Sequence, residues 1–60
     1  MKIDFKVKGC SQVYSVDIDD TMPDRHWVDV TWTDDSGDQS TPYTVGIIRV
    51  FLLDGTWVKV

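Results

Sequence analysis

The chain has 60 residues, one cysteine, a formal net charge of −4, and ten acidic residues that are all aspartate. That length holds a single domain, residues 1–60, and the lone cysteine excludes an internal disulfide. No apolar run reaches the roughly 18 residues of a membrane span, and the acidic balance argues against direct nucleic-acid binding, which rests on Lys and Arg meeting phosphate.

With no Glu and no Ala, but nine Val and four Ile, the composition favours strands. The first strand, Lys2–Lys8, alternates cleanly: Ile3, Phe5 and Val7 face one way and Lys2, Asp4, Lys6 and Lys8 the other. This charged alternation does not read as a signal peptide, and the single thiol, Cys10, fits a reducing cytoplasm. Gly9-Cys10-Ser11 is a turn, after which Gln12–Ile18 turns Tyr14, Val16 and Ile18 inward. Asp19–Asp24 is a loop restrained by Pro23. A third strand, Arg25–Thr33, places Val28, Val30 and Trp32 on the core face, and Asp34–Ser40 reads as a solvated loop.

The stretch Thr41–Gly55 supports two readings. As a helix, it has Thr41 at the N-cap, Pro42 at the first helical position and Gly55 just past the end, with Val45, Ile48 and Leu52 on one face. As a strand, it runs Ile47–Leu53 and turns through Asp54-Gly55. The helix is the favoured reading. A last strand, Thr56–Val60, follows, with Val58 and Val60 inward and Trp57 and Lys59 outward. The expected fold is α+β, a β-β-β-α-β domain: an antiparallel three-stranded meander, one helix on one face, and a C-terminal strand parallel to the first or third. The alternative is an all-β, five-stranded small barrel.

One motif suggests chemistry. Tyr14–Ile18 followed by Asp19-Asp20-Thr21 contains Asp-x-Asp-x-Thr after an apolar strand. It resembles the nucleophile motif of the haloacid dehalogenase family of phosphatases. The resemblance implies Asp17 as nucleophile and Asp19 as acid and base beside a magnesium ion. It covers five residues, and the family uses a doubly wound α/β domain far larger than 60 residues, with a later Lys and a later acidic pair. The favoured expectation is a strand ending in a solvated acidic turn, and no catalysis. Asp34-Asp35-Ser36-Gly37-Asp38 carries oxygen ligands around a glycine, but an EF-hand loop needs Gly at its sixth position and Glu at its twelfth, where this chain has Gln39 and Val45. His26 and Cys10 lack partners for a metal or a nucleophilic pair. No cofactor or metal is expected.

The remaining candidates are surfaces. The uncovered face of the sheet is expected to present Trp27, Trp57, Val13, Asp29 and Lys59 to a protein partner, since Trp is enriched at binding hot spots. On the helix, Tyr43, Ile47 and Val50 lie almost opposite the core face, and an apolar outer side suggests a homodimer. The expected function is a small, acidic, cytoplasmic protein-binding module. In size and lack of catalytic parts it is similar to inhibitors of host factors encoded by phages and mobile elements. The alternative is an acidic mimic of nucleic acid occupying the basic cleft of a nuclease or repair enzyme.

Overall fold

A computed structural model describes all of residues 1–60 and shows six elements. They are β1 (Lys2–Val7), β2 (Val13–Asp17), β3 (Trp27–Asp34), β4 (Gly37–Thr44), α1 (Val45–Asp54) and β5 (Trp57–Lys59). The strands form one open antiparallel sheet in the order β4-β3-β2-β1-β5, and α1 lies across one face. The α+β class, a meander with a C-terminal strand and one helix, is the one read from the sequence. The sheet has two free edges, so it is not a barrel.

The first three strands follow their alternation. β1 and β2 pair from Lys2 opposite Asp17 to Lys6 opposite Val13. The turn between them uses Gly9 at φ 84°, a left-handed conformation that side chains resist, with the Cys10 N–H donating to Val7 C=O at 2.9 Å. β2 meets β3 through Ser15 and Thr31.

The fourth strand departs from expectation. Residues 34–40 are not a solvated loop. Asp35-Ser36 form a two-residue turn, Gly37 takes φ 101°, and the chain returns along β3 with Thr33 opposite Asp38 and Trp27 opposite Thr44. β4 is polar because it lies at the sheet edge, where little of it is buried. Pro42 is acceptable there, since an edge strand leaves part of its backbone without ladder partners.

The extra strand moves the helix start. Thr44, not Thr41, is the N-cap, with extended backbone and its hydroxyl accepting from the Ile47 N–H at 3.4 Å. Two further N–H groups at this end find carbonyls in the preceding loop: Val45 donates to His26 at 2.9 Å and Gly46 to Asp24 at 2.8 Å. Gly55 ends the helix at φ 86°, as its position predicted. The extra strand also reverses the final direction. After four strands and a helix the chain runs antiparallel to β1, with Val7 opposite Trp57 and Phe5 opposite Lys59. A three-stranded meander would have made that pair parallel.

The core comprises Phe5, Val16, Ile18, Val30, Val45, Ile48 and Trp57. Val45 and Ile48 face the sheet as expected, with Leu52 half-buried beside them. Trp57 corrects the reading of β5. Its indole stacks on Phe5 with ring centroids 4.3 Å apart, and Val58 and Val60 point away. Burying the larger aromatic surface decides the parity of a strand this short.

Gly46 sits against the loop that caps the helix. A Cβ there would stand 3.0 Å from the Asp24 Cβ and 3.2 Å from its carbonyl oxygen. Gly46→Ala improves helix propensity by up to about 1 kcal/mol, yet it pushes Asp24 away from two bonds to the helix. A net loss of about 1–2 kcal/mol is expected, read as a fall of several degrees in Tm. An unchanged or raised Tm contradicts the tight approach.

Candidate functional surface on the helix side

The two sides of the sheet differ in chemistry. On the face without the helix, register places Lys2, Asp4, Lys6, Val13, Ser15, Asp17, Asp29, Thr31, Thr33, Asp38 and Val58. Its side chains bond to one another: Ser15 Oγ donates to Asp4 at 2.7 Å and Thr33 Oγ1 to Asp38 at 2.8 Å. Trp27 is 64% exposed and Val13 41% exposed on this face, as expected. Asp29 is there too, exposed opposite Pro42.

Trp57 and Lys59 are not. Both lie on the helix side, because they pair with Val7 and Phe5. The expected pair of exposed tryptophans does not exist. Trp27 stands alone, since antiparallel pairing of Ser15 with Thr31 sets Val13 level with Thr33, roughly 20 Å along β3 from Trp27. What remains is a mixed face, on which lysines, hydroxyls and carboxylates surround the exposed Val13 and Val58.

On the helix side the order is reversed. Ile47, Val50 and Leu53 are 43%, 56% and 89% exposed, and their three-residue spacing puts them in one row along α1. Arg49, the only basic residue of the helix, turns instead to the β2–β3 loop. It pairs with Asp24 at 2.7 Å and donates to the Asp19 carbonyl at 3.1 Å. Gly46, Ile47, Val50 and Phe51 line a shallow apolar depression of about 250 Å³. Tyr43, expected on this helical face, belongs to β4. It is half-buried, its ring edge-on to Trp57 at 5.2 Å.

A second opening lies beside it. A ten-residue helix is about 15 Å long, while five strands span roughly 19 Å. α1 runs from the end of β4 to the start of β5 and leaves a corner of the sheet uncovered. Rings fill that corner. Tyr14 stacks on Phe5 at 5.5 Å and meets Trp32 edge-on at 5.1 Å, while Phe51 tilts against Trp57 at 5.0 Å. Between them is a cavity of about 140 Å³, lined mainly by Phe5, Tyr14, Trp32, Tyr43 and Trp57. Sequence reasoning placed Tyr14 and Trp32 in the core and missed this opening. The signal available was the ratio of inward aromatics to helix length.

The acidic motifs serve local structure. Asp17 accepts from the Met1 amino group at 3.0 Å, and Asp19 accepts from the Thr21 N–H at 2.9 Å and from its hydroxyl. Asp34 accepts from the Ser36 N–H at 2.8 Å, closing the β3–β4 turn. No group of three or more His, Cys, Asp or Glu side chains converges in a way that could hold a metal ion. Cys10 is exposed in the β1–β2 turn, and His26 is exposed in the loop before β3.

No protein-family model matches the chain, and comparisons with curated proteins and with solved structures return no match. The class defined by the fold is a small α+β domain.

Two carboxyls titrate low. The Thr21 hydroxyl and N–H hold Asp19 below its ordinary value, and the Thr56 N–H and hydroxyl do the same for Asp54. A depressed carboxyl contributes stability above its unfolded value, here near 3.8, and that contribution is lost as pH falls through the folded value. The acid limb of the stability curve below about pH 3.8 is thus expected to be shallower in Asp19→Asn and Asp54→Asn than in the wild type. Urea titrations at stepped pH measure this, and three superimposable curves contradict it.

Proposed function

We propose that this domain is a non-catalytic protein-binding module whose contact surface is the outer side of α1. The observation that carries this reading is the row Ile47, Val50 and Leu53, exposed on a helix that is apolar on nearly every side. A helix apolar all round is ordinarily covered on both faces, and contiguous exposed aliphatics mark interaction surfaces. Such a module acts by occupying a partner's surface, in the manner of an inhibitor of a host factor. We place it in the cytoplasm, where the exposed Cys10 thiol stays reduced.

The acidic-mimic reading has weaker support. Its carboxylates fall into two groups at opposite ends of β3: Asp19, Asp20 and Asp24 in one loop, and Asp34, Asp35 and Asp38 around the other turn. An eight-residue strand separates them by roughly 25 Å, and the uncovered face between them also carries Lys2 and Lys6.

Val50→Lys tests the proposal, because the side chain is exposed and its replacement is expected to change stability by no more than about 0.5 kcal/mol. Immobilised wild-type protein is expected to capture its partner from extract at both low and high salt, and the variant to lose that capture. Equal capture by the variant contradicts the helix surface, while capture that vanishes with salt in both proteins supports the acidic mimic. Light scattering of the two proteins shows whether the partner is a second copy of the chain.

A further inference from the structure

The aromatic cavity at the uncovered corner has its own chemistry. We infer that it receives an arginine side chain from a partner protein. Its volume, about 140 Å³, is below the roughly 300–1,000 Å³ of pockets for drug-sized ligands, and suits one side chain. Its walls are mostly rings, whose faces attract cations.

A carboxylate is bonded to one of its wall residues. Asp34 Oδ2 accepts from the Trp32 Nε1–H at 3.3 Å, so the charge lies within one hydrogen bond of the cavity wall. No cation of the protein neutralises it, since the two ion pairs are Met1–Asp17 and Arg49–Asp24. Asp35 and Asp38, on the same turn, also have no cationic partner. The one lysine that the register places on the helix side of the sheet, Lys59, is exposed on β5 opposite Phe5.

Aromatic walls beside an unneutralised carboxylate, in a chain of net charge −4, select a flat, weakly hydrated cation. Guanidinium meets all of these conditions: it stacks on rings and presents a fork of donors to a carboxylate. Ammonium is compact and strongly hydrated, so lysine fits less well. The inference rests on the proposed binding function only in taking a protein as the source of the arginine, and it uses residues other than the outer row of α1.

The test follows the indole N–H signals of the three tryptophans by NMR while the peptide Gly-Ser-Arg-Ser-Gly is added. The control peptide carries citrulline, a neutral isostere, in place of arginine. Saturable shifts are expected at Trp32 and Trp57, with Trp27 on the opposite face unmoved. Citrulline should bind roughly tenfold more weakly, the cost of losing the charge. Asp34→Asn, which retains an oxygen to accept from the Ser36 N–H, should weaken binding of the arginine peptide severalfold, and Asp35→Asn should not. The inference is overturned by an absence of saturable shifts, by equal response to both peptides, by a Trp27 shift as large as that of Trp32, or by equal losses in the two Asp variants. Such a failure alongside capture that still depends on Val50 removes the cavity and leaves the helix surface. The reverse pattern removes the helix surface alone.

Discussion

The stack of Trp57 on Phe5 holds this domain together. β5 has three residues and pairs only with β1, a connection too short to persist by backbone bonding alone. Trp57 adds contacts to Phe5, Tyr43 and Phe51 within about 5 Å between ring centres. One side chain therefore ties β1, β4 and the end of α1 to the last strand. Only seven residues of 60 are buried, and no disulfide reinforces them. A chain of this size has little other stabilisation to draw upon, and the ring network takes the place of a covalent staple.

The same stack sets which tryptophan meets water. With Trp57 turned inward, the uncovered face keeps a single tryptophan, and its exposed Val13 and Val58 lie among charged and hydroxyl side chains. On the helix side, exposed apolar surface lies in the outer row of α1 and in the corner that the helix is too short to reach. Phe51 connects the two, lining the depression beside Ile47 and Val50 while packing on Trp57. The acids lie in turns, loops and strands, and the bonds of Asp17 to Met1 and of Asp19 to Thr21 give the Asp-x-Asp-x-Thr motif a structural use.

What was legible in the sequence followed from solvation. β1, β2 and β3 each have one wet face and one dry face, so their alternation shows in the letters, and Gly55 marks the helix end because a left-handed residue is needed there. β4 was hidden for the opposite reason. As an edge strand it buries little, so it reads as a loop, and Thr41-Pro42 imitates a helix start that belongs to Thr44-Val45. Missing one strand reversed the direction of β5. The parity of β5 was not recoverable from Trp57-Val58-Lys59-Val60 itself, because both faces carry an apolar residue and only the contact with Phe5 decides between them. For the same reason the two-tryptophan surface read from the sequence was misplaced, while the exposure of Ile47 and Val50 followed from their position away from Val45 and Ile48.

Trp57 is sealed on the helix side while Trp27 faces water. Acrylamide quenching of tryptophan fluorescence distinguishes the two, using Trp27→Phe/Trp32→Phe to leave Trp57 alone and Trp32→Phe/Trp57→Phe to leave Trp27. Trp27 is expected to quench nearly as readily as a free indole, and Trp57 to be strongly protected. Equal quenching of the two in folded protein, or protection of Trp27 alone, would contradict this.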